Sequence, residues 1–367
     1  MYRAMRQSAP AVWSEAHGGF WSITRYHDVR SAAAGFRTFS SGRDGVVIGR
    51  DRKGRATPLE LDRPEHTRYR RAMQEPFFPS RIGEFTDLVR SCVREFLDDV
   101  AATGHFDIVH DIAERLPFRV ISDFLGIARG ERQALHRDLA TALVNADLAT
   151  MDSADDAYVD FLRAEVRSRR ARPGSDFISE LLTVSADGQR FDDEEVARMA
   201  RALALAGHHT TINGIASLLM RMADGGNRRA YLEDPDTGSL IVEEALRIDS
   251  PIHLEARTAL VSTVVDGVEI PAGGRVALLY GSGNHDESVY PDPERFDPQR
   301  RGPTNLSFGH GIHKCLGAPL ARLEMLIVLE EMTRQLPGYR LTAPPVGTGM
   351  FLGHHMGWRS IPAVVEG

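Results

Sequence analysis

Cysteine is nearly missing from this chain of 367 residues, which has only Cys92 and Cys315. Two cysteines cannot build the disulfide framework of a small secreted domain or a four-cysteine zinc site, and a chain with no need of disulfides suits a reducing cytoplasm. Also missing is any run of 18 or more uninterrupted apolar residues, the minimum for a membrane span. The nearest approach, Met199 to Met222, is broken by Arg201, His208, His209, Asn213 and Arg221. The opening residues MYRAMRQSAPAVWSEAHGG carry neither the apolar stretch nor the cleavage signature of a secretory signal. Positive charge is not in excess either. With 44 Lys+Arg against 51 Asp+Glu the net charge is -7, so no global basic field argues for nucleic acid binding. Internal repeats and Gly/Ser- or Pro-rich linkers are absent, which favours one domain over residues 1–367.

What remains is mostly helical. Asp87 to Val100, Glu131 to Asn145, Ala154 to Arg172, Asp192 to Met222, Gly238 to Ile248 and Ala318 to Gln335 all place apolar residues at helical spacing. The charge run Arg163 to Gly174 reads as a solvated helix face ended by Pro173-Gly174. Strand-like pieces are short: Trp21 to Thr24, Ala259 to Val265, Val268 to Ile270 and Val276 to Tyr280, with a hairpin expected at Pro271–Gly274. These strands do not alternate with helices as a parallel α/β sheet requires. The expected class is mainly α with a small β region.

The most informative segment runs from Phe308 to Gly317, FGHGIHKCLG. Glycines at 309, 311 and 317 leave backbone N–H groups free for close approach. The thiol of Cys315 sits just before a helix, whose N-terminus stabilises a thiolate. A thiolate among backbone donors suits a soft metal held by one protein ligand, and haem iron is the main case. A lone cysteine is otherwise more often a packing residue, as Cys92 on its amphipathic helix is expected to be.

The pattern FGxGxHxCxG resembles the haem-binding loop of the cytochrome P450 family. The resemblance implies the P450 fold, a single haem-centred domain with haem b, and Cys315 as the axial thiolate. It also implies His313 at a haem propionate, with Phe308 and Gly309 packed beside the sulfur. Glu244 and Arg247 form ExxR and resemble, with Arg295 of Pro293-Glu-Arg-Phe296, the buried triad that supports the loop. His66 and Arg70, one helical turn apart after Pro64, and Arg257 resemble the propionate-binding positions.

The third landmark is the long helix, opened by an Asp192/Glu195 capping box. At its middle stands Ala206-Gly-His-His-Thr-Thr211. A glycine inside a helix costs about 1 kcal/mol against alanine, so either a flat ligand comes close at Gly207 or the helix opens locally. By resemblance this segment lies over the oxygen-binding face, and Thr210 matches the oxygen-handling threonine. His209 stands where the family has an acid. Either it relays protons to Thr210, or it points away and water alone delivers them.

By family position the substrate pocket takes in Gly42 to Thr57, Ala140 to Asp152, Leu203 to Thr211, Ile252 to Ala256 and Met350 to Met356. His253, Glu255, His354 and His355 make parts of it polar, which suits a substrate with polar groups. The paired histidines lack the spacing of a metal site. The implied activity is that of a haem-thiolate monooxygenase acting on a small organic substrate, a natural-product intermediate. Electrons would come from a separate ferredoxin or flavodoxin and its NAD(P)H reductase, for which Arg68 and Arg71 are the docking candidates. Two alternatives stay open: a haem-thiolate enzyme performing coupling, desaturation or peroxide-driven oxidation, and a non-catalytic haem sensor. Family members of the soluble bacterial type carry extra residues before the segment matching Met1 to Pro10, so the start is either short or misassigned.

Overall fold

In the computed structural model, which describes residues 1–49, 55–128, 130, 148–186, 188–336, 338–350 and 354–366, helices dominate and strands are short. The major helices are Thr86–Thr103, Arg115–Phe124, Leu148–Ala171, Asp193–Met222, Gly238–Ile248 and Ala318–Gln335. Burial follows the apolar spacing. On the first of these, Val89, Cys92, Val93, Phe96, Leu97 and Val100 face the core, so Cys92 is indeed a packing residue. The expected helix Glu131 to Asn145 lies outside the described residues.

The helix Asp193–Met222 is the hub, with Arg115–Phe124, Leu148–Ala171, Gly238–Ile248 and Ala318–Gln335 packed against it. Its capping box is complete. The Glu195 amide donates to Asp192 Oδ1 at 2.7 Å, and the Asp192 amide donates to Glu195 Oε2 at 2.9 Å. The helix stays regular through Gly207, so the locally opened turn does not form.

The basic run from Arg163 is not merely a solvated face. Arg163 reaches both oxygens of Glu194 at 2.7 and 2.9 Å, and Arg170 reaches Asp193 at 2.5 Å. These bonds tie the helix Leu148–Ala171 to the N-terminus of the hub, where its macrodipole favours the acidic partners.

Five strands form the largest sheet, in the order Ala11–Ser14, Phe20–Ile23, Arg275–Leu278, Glu255–Ala259 and Phe39–Ser40. The expected strand Ala259 to Val265 is divided. Its start belongs to Glu255–Ala259, and Thr263–Val265 pairs with Val268–Ile270 as a separate hairpin. That hairpin turns at Asp266-Gly267, both at positive φ (42° and 89°), and not at Pro271–Gly274. Asp-Gly is a favoured pair for a two-residue turn because both residues tolerate the left-handed region. Pro271–Gly274 instead carries the chain from the hairpin into the larger sheet.

Candidate functional site

The support for the cysteine loop begins at the buried helix Gly238–Ile248. Glu244 and Arg247, one turn apart, make two parallel bonds at 2.7 and 2.8 Å. The arginine that completes this cluster is Arg300, whose Nε donates to Glu244 Oε1 at 3.1 Å. Arg295, the residue expected from the motif, has an exposed side chain. Only its carbonyl takes part, accepting from Arg300 at 2.7 Å. Arg295 and Arg300 follow the same motif five residues apart, and the fold turns the second inward.

From this cluster a chain of bonds leads to the loop. Arg247 donates to the carbonyl of Asn284 at 2.8 Å. The Asn284 amide donates to Ser250 and Ser307 at 2.7 and 2.8 Å, and its oxygen accepts from the Leu306 amide at 2.6 Å. Ser307 then donates to the carbonyl of Leu246 at 2.6 Å. Buried polar groups that are fully paired in this way set one geometry. Sequence reasoning missed Ser250, Asn284 and Ser307, because nothing local marks a serine or asparagine as buried.

The loop itself curls on two left-handed glycines, Gly309 (φ 64°) and Gly311 (φ 77°). A side chain at 311 would strike the backbone of Ala33, 2.6 Å from its oxygen. The Cys315 amide donates to the Phe308 carbonyl at 2.8 Å, closing the loop. Burial pushes the Cys315 thiol up, and the amides of Gly317 and Ala318 and the nearby Arg70 pull against that. The helix Ala318–Gln335 starts directly behind it. Phe308 is held from outside by the Arg322 guanidinium, 4.3 Å from its ring centre.

Cys315 opens onto a cavity of about 400 Å³ between this loop and the middle of the long helix. His66, Arg70, Phe308, Gly309 and His313 share its wall. The His66 and His313 rings meet edge to face, centroids 4.5 Å apart. Burial, then Arg70 and Arg63, bring the His66 pKa down to about 4. Burial, then Arg257, His66 and Arg70, bring that of His313 down to about 2. Both are therefore neutral at physiological pH and offer N–H groups without charge. Among the described residues neither nitrogen of His66 has a hydrogen-bond partner, nor does Nε2 of His313. A buried and a half-buried imidazole, with ring nitrogens that lack partners among the described residues, beside a guanidinium and a thiol make a donor set that a flat dianionic macrocycle with a soft metal would satisfy, so the residues fit haem. Arg257 stands apart. It is 1 % exposed, does not line the cavity, and is bonded to Glu255 at 3.1 Å.

The opposite wall is the long helix, from Arg201 through Ala206, Gly207, His209, Thr210 and Thr211. A methyl group on Gly207 would sit 3.7 Å from Ile121, an ordinary contact, so the surrounding protein does not demand glycine there. The Thr210 hydroxyl donates to the Ala206 carbonyl at 2.7 Å, which leaves its oxygen as an acceptor. Burial lowers the His209 pKa to about 4.

Of the remaining pocket candidates, Val46, Ala56, Thr57, Ile252, Glu255, His354 and His355 line the cavity. His253 does not, and its ring accepts or donates at 3.2 Å to the Tyr2 hydroxyl. Residues 140–147 and 351–353 lie outside the described residues. Arg68 is not a free docking cation. It is paired with Glu195 and lies over the Phe191 ring at 4.2 Å, whereas Arg71 is exposed. Among the described residues no helix is long and apolar enough to cross a membrane.

Comparison with known proteins places this architecture. The family model described as cytochrome P450 matches residues 239–342. The erythromycin C-12 hydroxylase of Saccharopolyspora erythraea is 36% identical over 347 residues, covering 89% of this chain and 84% of its own. The cyclomarin C epoxidase of Salinispora arenicola is 33% identical over 365 residues, 94% of this chain and 90% of its own. The solved structure of a mutant of P450 EryK in complex with erythromycin B superposes with a TM-score of 0.89 at 32% identity, over 99% of this chain and 94% of that one.

Proposed function

Because this chain belongs to the cytochrome P450 family, we propose that its one cavity-facing thiol, Cys315, holds the iron of haem b in a single domain spanning residues 1–367. The protein is a haem-thiolate monooxygenase. When bound, haem supplies the activation of O₂ and the oxidation of substrate.

The chain's own residues do the rest. His66, His313 and Arg70 bind the propionates, the two imidazoles through N–H groups that otherwise have no acceptor. Arg257, whose charge is felt at His313, joins them by sharing or leaving Glu255. Phe308 and Gly309 shield and shape the sulfur side. Gly207 leaves room in the cavity on the long-helix side, and Thr210 would hold ordered water there through its hydroxyl oxygen. His209, neutral at physiological pH, passes a proton by giving one up at one ring nitrogen and taking one at the other.

The substrate is a natural-product intermediate. The named substrates of the erythromycin and cyclomarin relatives support that class, as does a mostly apolar wall with a few polar points at Arg201, Glu255, His354 and His355. Electrons come from a ferredoxin or flavodoxin and its NAD(P)H reductase in the cytoplasm, one at a time. Arg71 remains available for docking such a partner.

The observation that carries this reading is a pair of imidazoles, with ring nitrogens unpartnered among the described residues, converging with Cys315 on one cavity. Reduction under CO tests it: the shifted Soret band of a thiolate-bound haem is expected, and Cys315→Ser should abolish it. A C315S protein that kept the band would overturn the assignment. Product formation with the redox partners, compared with peroxide alone, separates monooxygenation from a peroxide-driven oxidase. For the relay, His209→Ala should lower the product formed per NAD(P)H consumed; unchanged coupling across pH would sink it.

A further inference from the structure

His253 lies outside the cavity, yet its neighbours make up part of the wall. Ile252, Glu255, His354 and His355 all line it. They come from two segments joined in antiparallel fashion. Ile252 bridges His355, the His253 amide donates to the His354 carbonyl at 2.8 Å, and the Met356 amide donates to the Pro251 carbonyl at 3.1 Å. In extended chain successive side chains point to opposite faces, so with Ile252 turned to the cavity the His253 ring turns away from it. Whatever holds that ring therefore holds the wall from behind.

The first helix, Tyr2–Ser8, does so. The Tyr2 hydroxyl lies 3.2 Å from His253 Nδ1, and the two rings meet at a tilt of 32° with centroids 5.9 Å apart. Burial pushes the Tyr2 hydroxyl up to about 12. Burial, then His285, brings His253 down to about 4 against the pull of Asp249. Both groups are neutral at physiological pH, so the bond between them does not depend on charge. Gly281 confines the same ring. Its amide donates to the His253 carbonyl at 3.0 Å, and a side chain at 281 would come within 2.6 Å of Nδ1. The helix is anchored beside that glycine. Arg6, 5% exposed, donates to the Ser282 carbonyl and hydroxyl at 3.0 and 3.1 Å and to Glu287 at 3.0 Å.

We propose that Tyr2 is a positioning residue for the substrate wall: acting through His253, it fixes Ile252, His354 and His355 and so sets which molecules the cavity accepts. Tyr2 itself does not line the cavity. A wall that is loose must be ordered when a ligand fills the cavity, and affinity falls by the fraction of time the wall is out of place. The proposal rests on Cys315 being the iron ligand, since only then is this cavity the substrate chamber.

The test uses the holoenzyme and two iron ligands, each read by its shift of the Soret band. Imidazole is too small to span the cavity, whereas the three phenyl rings of 1-tritylimidazole press on its walls. Tyr2→Phe keeps the ring and removes the hydroxyl. Its affinity for 1-tritylimidazole should fall about 5-fold, the worth of one hydrogen bond, while its affinity for imidazole and its CO spectrum match the wild type. His253→Ala should also weaken the larger ligand, and adding Y2F to H253A should change nothing further, because the two residues act as one. Additive losses would mean that Tyr2 works by another route and would overturn the proposal. So would equal losses for both ligands in Y2F, or none, which decides the matter even if H253A does not fold. A wild type without the thiolate CO spectrum would instead overturn the Cys315 assignment, and with it the cavity as the substrate chamber.

Discussion

Replacing Arg300 by alanine removes one of two guanidinium groups, the other being that of Arg247, that join Glu244 to the segment Pro291–Arg295. The Arg300 side chain is 8% exposed and Glu244 5%. Besides Glu244 it serves the carbonyls of Pro291, Asp292 and Arg295. Breaking a buried ion pair from one side costs about 3–5 kcal/mol. Here the low end applies, because Glu244 keeps both bonds from Arg247 and the amide of Asp297, and the three carbonyls lie near solvent. About 3 kcal/mol is roughly a 100-fold rise in the unfolded fraction, from a total stability of about 5–15 kcal/mol. The damage should also reach the Cys315 loop, because Glu244 and Arg300 anchor the chain running through Arg247, Asn284 and Ser307. Denaturant unfolding and haem content of purified R300A and R295A measure both effects. R300A should lose stability and haem together, while R295A, an exposed side chain, should stay within about 0.5 kcal/mol of wild type. The reverse order would refute this assignment of the cluster.

Glu331 is held by Arg94, Arg334 and Arg90; burial pushes its pKa up, but these hydrogen bonds win and bring it down to about 2. Its folded-state pKa is depressed, so its stabilisation of about 3 kcal/mol is present above the unfolded value near 4.3 and lost as pH falls toward 2. Acid unfolding of Glu331→Gln should therefore be shallower than that of wild type, and equal slopes would contradict the pairing. Glu324 has the opposite sign. Its folded pKa is raised to about 8, so wild-type stability relative to E324Q should fall by about 1.4 kcal/mol per pH unit between about 5 and 7. A gap independent of pH would mean the carboxyl titrates normally. Gly311→Ala sets a methyl group 2.6 Å from the Ala33 oxygen at a φ of 77°, so the loop has to shift and the purified protein should contain little haem. Full haem at an unchanged Tm would show that the contact yields freely.

The Cys315 loop, the start of the long helix and the bounds of Gly238–Ile248 and Ala318–Gln335 were legible in the sequence because each is local. Left-handed glycines, a capping box and helical periodicity act over a few residues, and the chain carries them wherever it folds. The candidate site was legible to the same extent: His66, Arg70, Phe308, Gly309, His313 and Cys315 do share one cavity with Gly207, His209 and Thr210. Other features depend on what distant segments bring. Arg295 and Arg300 look alike in the sequence, and only the packing of Pro291–Arg300 against the helix of Glu244 decides which one is buried. Arg68 was expected to face a partner, yet Glu195, 127 positions later, takes it up. Arg257 was expected at the cavity, whose wall instead carries Glu255, to which Arg257 is bonded. Glu324 reads as an ordinary charge on an amphipathic helix until the long helix covers it. Burial then changes its proton affinity, as it does for His209 in the other direction. Charge state and partnership are set by the surroundings, and tertiary structure alone supplies those.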